Sequence, residues 1–249
     1  MPPKLEWSKY LGRKTRTEPV EEQGVLTWDL VREAILQGKT EEALEWLRYI
    51  KEGENYVKPS GGEISPARTI WHELSYIVET YGEEHVEKAL RWWRRKLIEA
   101  GHEPTYDMSP LERLQYHAEM ERADYSGPNG RRFDVTEEAD RYVMELNPCG
   151  SCGRLRRAEA EAKGLKLGKT SKAYPWSWGK ANVPYLCAYN CLWWEVMSIE
   201  DIGYPVKVYE WSEDPYKPCR VYFYKDPLKV PEQYFTRVGK KRDPSRFKK

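Results

Sequence analysis

The chain has 249 residues, with 41 Lys and Arg against 40 Asp and Glu, and a formal net charge of +1. That length supplies material for one large core or two small ones, and the balanced charge argues against a surface built throughout for a polyanion. No stretch approaches the roughly 18 uncharged apolar residues of a membrane-spanning helix, and residues 1–7 lack the apolar run of a signal peptide, so a cytoplasmic protein is expected.

Residues 1–24 mix basic side chains and prolines with few periodic apolar positions, and read as an extended or poorly ordered arm. Residues 25–124 read as a helical domain. A first helix begins at Thr27 or Asp29 and ends near Gln37 and Gly38. Thr40, Glu41 and Glu42 then open a second, with acidic residues at its positive end and a buried stripe through Leu44, Trp46, Leu47 and Ile50. Residues 55–63 form a turn-rich break. Ser65 and Pro66 start a helix carrying Ile70, Leu74, Ile77 and Val78; Gly82 separates it from a helix carrying Val86, Leu90, Trp93 and Leu97. Ser109, Pro110 and Glu112 make a capping box for a further helix through about Glu121.

The pattern changes after residues 125–130, which are rich in turn formers and mark the best boundary. The charge changes too: residues 1–130 hold 18 basic and 24 acidic side chains, and residues 131–249 hold 23 and 16. Residues 131–238 read as an α+β region. A short strand is expected at 131–135, one or two helical turns from Thr136, and a strand at 142–146. Residues 150–180 read as loop and 184–200 as a helix. A β-hairpin is expected from 206–211 and 220–224. Residues 239–249 read as a basic, mobile tail.

The sharpest local pattern is Cys149-Gly150-Ser151-Cys152-Gly153. Two thiolates separated by two residues can reach one metal from a tight turn. Cys187 and Cys191 lie one helical turn apart and complete a set of four. Tetrahedral zinc is the economical occupant, since it takes four thiolates without redox chemistry. An iron–sulfur cluster is the alternative cofactor; a redox dithiol and plain packing of buried thiols compete with both. Cys219 is the fifth cysteine and a further candidate ligand; an odd count points away from a disulfide framework. If only three thiolates bind, one metal position stays open for catalysis. Glu195 continues the Cys187, Cys191 series by another turn, which makes it the candidate catalytic acid or base.

The segment 200–210 followed by Pro218, Cys219, Arg220, Val221, Tyr222 and Phe223 resembles the closing segment of 4-vinyl reductase domains. Gly203 matches the glycine that leaves the helix; Cys219 with Tyr222 or Phe223 matches the last strand. The Gly-Asp pair of that pattern is replaced by Glu213, Asp214 and Pro215. The resemblance covers about the last quarter of the chain. It implies an α/β fold that holds small hydrophobic or tetrapyrrole-related ligands near cysteine-bound zinc.

Aromatic residues sharpen this expectation. The chain has 11 Trp and 18 Tyr but 4 Phe, and Trp and Tyr suit walls where an apolar body meets a polar group. Trp176, Trp178, Tyr185, Tyr189, Trp193 and Trp194 crowd the second cysteine pair and are the candidate pocket. Trp46, Trp71 and Trp93 read as helical core. Eight basic residues within 150–180 could attract an anionic aromatic molecule or single-stranded nucleic acid. Of the histidines, His72 lacks a metalloprotease partner because Tyr76 stands four residues on, and His117 reads as a satisfied interface residue. No phosphate loop or dinucleotide fingerprint occurs.

The sequence therefore predicts an α+β fold, with a helical N-terminal half packed against a C-terminal α/β region that carries an antiparallel hairpin and an embedded cysteine metal site. The expected function is a zinc-stabilised module binding a small hydrophobic or aromatic, in one version anionic, molecule. The alternatives are a hydrolytic or redox metalloenzyme using Glu195, an iron–sulfur protein, and a nucleic-acid adaptor. A second copy of the chain is a further candidate partner, and whether the protein is an enzyme is left open.

Overall fold

A computed structural model describes residues 4–54, 66–101, 106–125, 133–147, 149–150, 152–160 and 166–247. The predicted break at 55–63, the predicted cap Ser65, and the predicted boundary at 125–130 apart from Tyr125 lie outside these residues.

The first half is helical, as the periodicity implies. Helices α1 (Thr27–Leu36) and α2 (Thr40–Tyr49) form a hairpin whose turn uses Gly38 at φ +70°. A left-handed conformation there is cheap only for glycine. Helices α3 (Pro66–Tyr81) and α4 (Glu84–Glu99) pack together, and α5 spans Pro110–Tyr125. The predicted capping box forms at its start: Ser109 N–H donates to Glu112 Oε2 at 2.7 Å, and Glu112 N–H donates to Ser109 Oγ at 3.2 Å.

The arm is extended, one of the two readings of its sequence, and its extended segments are paired. Strands β1 (Leu5–Ser8) and β2 (Arg13–Arg16) pair as an antiparallel hairpin. Arg16 anchors it inside the helical half, donating to the Val25 carbonyl at 2.7 Å and to Thr27 Oγ1 at 3.0 Å. Thr27 in turn donates to Glu54 Oε1 at 2.6 Å, and Arg122 of α5 donates to the same oxygen at 2.9 Å. Composition left a poorly ordered arm open because it cannot show that one arginine finds buried acceptors.

The second half centres on a four-stranded antiparallel sheet. Its strands are β3 (Phe133–Glu137), β4 (Arg141–Leu146), β5 (Val208–Glu210) and β6 (Cys219–Tyr224), in the order β3-β4-β6-β5. The predicted final hairpin is thus present. Thr136 and Glu137 extend β3 rather than starting a helix, because they pair with Val143 and Tyr142. The register places Phe133, Val135, Met144, Leu146, Cys219, Val221, Phe223 and Tyr209 on one face, and α5 packs on the sheet.

Helix α6 (Cys152–Ala160) occupies part of the expected 150–180 loop. The predicted helix at 184–200 is a continuous run: α7 (Tyr185–Cys191), a π-turn at Leu192–Val196, and α8 (Met197–Ile202). It packs on α3 and α4. Two ion pairs fasten α4 to α8: Arg91 to Glu200 at 2.6 Å and Arg95 to Asp201 at 2.7 Å. Helix α9 (Gln233–Thr236) follows the sheet. Residues 240–247 form a strap instead of a free tail. Lys240 bonds Glu200 at 2.8 Å, and Phe247 stacks on Phe235 and meets Tyr204 edge-on.

The coarse fold is therefore α+β, with N-terminal helices packed against a C-terminal α/β region. The embedded metal site is a correction: among the described residues, no group of three or more His, Cys, Asp or Glu side chains is placed to hold a metal ion. No helix among them is long and apolar enough to cross a membrane.

Candidate functional site

One end of the inner sheet face, the faces of α5 and α6, and the α7 to π-turn segment line an open cavity of about 290 Å3. That is close to the lower end of ligand cavities, roughly 300–1,000 Å3. Five tryptophans line it: Trp93, Trp178, Trp193, Trp194 and Trp211. Trp93 and Trp193 meet edge-to-face at 4.7 Å, and Tyr189 meets Trp193 in the same way at 5.3 Å. Opposing faces and edges of this kind suit the ring quadrupole. Trp178 and Trp211 lie nearly parallel at 6.1 Å.

The polar end is built from β5, the residue that precedes it, and α5. Lys207 and Tyr209 are two apart, so an extended backbone turns both toward the same side. Lys207 is 7% exposed. Its Nζ lies 3.8 Å from the centre of the Trp194 ring and 3.2 Å from His117 Nδ1. His117 Nε2 faces Tyr209 Oη at 3.5 Å and Glu121 Oε1 at 3.6 Å. The tautomer with its proton on Nε2 fits both: N–H faces two oxygens, and the Nδ1 lone pair faces Lys207. Burial pushes the Tyr209 hydroxyl well above its ordinary value, so it stays a neutral phenol.

Four of the five cysteines reach this cavity: Cys149, Cys152, Cys187 and Cys219. Their sulfurs do not gather into a metal cluster among the described residues. Cys152 Sγ donates to the Leu186 carbonyl at 3.3 Å. Cys149 Sγ accepts from Gly153 N–H at 3.4 Å, and Cys219 Sγ from Ser212 N–H at 3.4 Å. Cys191 is turned to other partners, accepting from Trp178 N–H at 3.3 Å and donating to the Pro175 carbonyl at 3.5 Å. Burial raises the thiol pKa of Cys149, Cys191 and Cys219, which keeps them protonated. Because no three His, Cys, Asp or Glu side chains among the described residues are placed to hold a metal ion, the zinc site, the iron–sulfur alternative and the metalloenzyme with an open position are overturned, and with them the metal-binding description of the protein. No disulfide joins the five cysteines.

Glu195 is fully buried in the π-turn and is absent from the cavity lining. Its carboxylate accepts from Trp178 Nε1 at 2.8 Å, Tyr209 N–H at 2.9 Å, and Arg237 Nη2 at 2.8 Å. Arg237 Nη2 also donates to the Tyr209 carbonyl at 2.8 Å. Glu195 thus fixes two cavity walls, Trp178 and the β5 backbone, from behind. Burial pushes its carboxyl up, while Arg237 and the two N–H donors pull the other way.

Of the six predicted pocket aromatics, Trp178, Tyr189, Trp193 and Trp194 line the cavity. Trp176 and Tyr185 do not. Trp176 stacks on Tyr174 at 4.9 Å, and Tyr185 donates to Glu83 Oε1 at 3.0 Å. Sequence reasoning missed Lys207, His117, Glu121, Trp93 and Trp211 as cavity residues, while Arg156 was among the basic residues of 150–180 read as able to attract an anionic aromatic molecule. One signal was present: alternation through 206–211 puts Lys207, Tyr209 and Trp211 on one side of a strand. The basic segment is partly engaged internally. Arg156 donates to the Glu213 carbonyl and lies 4.9 Å over Trp211, and Lys169 pairs with Glu159 at 2.9 Å.

In comparisons with protein-family models, curated proteins and solved structures, nothing matches this chain.

Proposed function

We propose that the protein binds a small aromatic anion in the Trp-lined cavity, without a metal. The observation that carries this reading is Lys207: a buried amine on the cavity wall, pressed against one indole ring and hydrogen-bonded to His117. The lining carries two cationic side chains, Lys207 and Arg156, and one carboxylate, Glu121. The excess positive charge favours an anionic group, and the five indoles favour a planar partner of one or two rings. Trp178, Trp193 and Trp194 supply the apolar faces, and Glu195 with Arg237 holds Trp178 and β5 in place.

The test is a fluorescence titration with 8-anilinonaphthalene-1-sulfonate, beside the uncharged N-phenyl-1-naphthylamine. Wild-type protein is expected to take up one sulfonate probe with quenching of Trp emission. Lys207→Met should lose affinity for the sulfonate by roughly tenfold or more, as expected for a charged hydrogen bond, and keep its affinity for the uncharged probe. Equal loss of both, or no effect of the substitution, contradicts the proposal.

A further inference from the structure

The Lys207 and His117 pair has the geometry for more than holding an anion. A lysine Nζ that faces a cavity, with a basic imidazole nitrogen 3.2 Å away, has both a nucleophile and a place to put its proton. On the other side of that imidazole, Nε2 is flanked by Glu121 and Tyr209 oxygens, which stabilise the ring when it takes up charge. Trp194 covers Lys207 at 3.8 Å and shields it from bulk water. Arg156, which donates to the Glu213 carbonyl and lies over Trp211, stands elsewhere on the same lining as a second cation toward an anionic end of a ligand.

We propose that Lys207 condenses with the carbonyl group of an aromatic oxo-acid bound in the cavity. This rests on the cavity being an aromatic-anion site. Lys207 passes one proton to His117 Nδ1, and Nζ attacks the carbonyl carbon to form a C–N bond. A second Nζ proton moves to the former carbonyl oxygen. His117 returns its proton to that oxygen, which leaves as water, and a protonated C=N bond remains. The ammonium and the carbonyl are consumed, and one iminium and one water are produced. His117 ends as it began and acts as the proton carrier.

The experiment treats full-length protein with 4-carboxybenzaldehyde and sodium cyanoborohydride, which fixes an iminium as a secondary amine, and maps adducts by peptide mass. The proposal expects Lys207 to be modified on the order of tenfold faster than any exposed lysine, reflecting a preorganised encounter. The sulfonate probe should slow that adduct selectively, and Lys207→Arg should abolish it. His117→Ala should slow it while leaving surface adducts unchanged. Modification spread evenly over Lys172, Lys180, Lys229 and the other exposed lysines overturns the proposal, as does an unmodified Lys207. Wild-type protein that binds the sulfonate probe but yields no Lys207 adduct sinks the condensation alone. Failure of both sinks the binding site as well. Because protection by the probe is read on wild-type protein, the outcome does not depend on how the variants fold.

Discussion

Arg237 closes on Glu195 with two nitrogens, Nη2 at 2.8 Å and Nε at 3.2 Å, although 42 residues separate them. The same carboxylate holds the Trp178 indole and the β5 backbone. A residue that sequence spacing marks as a catalytic acid is thus, in the fold, the post on which two cavity walls hang. Glu195→Gln is expected to lower unfolding stability by about 2–3 kcal/mol, the cost of weakening charged hydrogen bonds in a buried site. A urea-unfolding midpoint equal to that of wild type would show that the carboxylate does not carry this load.

Glu54 and Arg122 form a second buried pair, at 2.9 Å, tying the helical hairpin region to α5. Arg122 also donates to the Gln23 carbonyl at 2.7 Å. Arg122→Ala leaves Glu54 and Glu119 in a dry environment facing fewer donors. It should cost about 3–5 kcal/mol, measured by chemical denaturation. A loss below about 1 kcal/mol, typical of exposed pairs, is the contrary result.

Acid sensitivity follows from Glu83 and Glu200. Burial alone would raise both carboxyls, but hydrogen bonds from Ser171, Tyr174 and Tyr185 bring Glu83 below its ordinary value, and Arg91 and Lys240 do the same for Glu200. A carboxyl lowered in the folded state adds stability above its unfolded pKa, about 4.3 for glutamate, and that stability is lost as pH falls through the folded value. The thermal midpoint should therefore decline below about pH 4.3, and Glu83→Gln should flatten the decline. An unchanged slope in the variant contradicts the assignment.

Gly203 ends α8 at φ +91°, and a Cβ there would lie 2.6 Å from the Arg246 carbonyl oxygen. Gly203→Ala combines an unfavourable left-handed backbone with a clash against the C-terminal strap. A loss of about 1–3 kcal/mol is expected, together with faster tryptic cleavage after Lys240 and Lys241. Cleavage at the wild-type rate would show that the strap does not depend on this close approach.

Locally encoded features were legible in the sequence. The Ser109 and Glu112 cap needs only residues three apart, and the alternation in β5 and β6 needs only a period of two. The cysteines show the limit. Spacing put Cys149, Cys152, Cys187 and Cys191 into one set of four, whereas the cavity takes Cys149, Cys152, Cys187 and Cys219 and leaves Cys191 out. It could not show where each thiol hydrogen goes, nor that Cys191, one turn from Cys187, bonds Trp178 and Pro175 instead. Lys207 and His117 are 90 residues apart and meet only because α5 packs on the sheet beside the start of β5. No local pattern carries that contact, and the anchoring of the arm by Arg16 is hidden for the same reason.

The central claim is that the Trp-lined cavity receives an aromatic anion at Lys207. A crystal structure of the protein with 8-anilinonaphthalene-1-sulfonate tests it most directly. The account predicts the rings between Trp178 and Trp193, with a sulfonate oxygen at hydrogen-bond distance from Lys207 Nζ, about 2.7–3.2 Å. A probe seated instead on the exposed helical side chains Trp28, Ile35 and Leu36, with the cavity empty of it, would contradict the account.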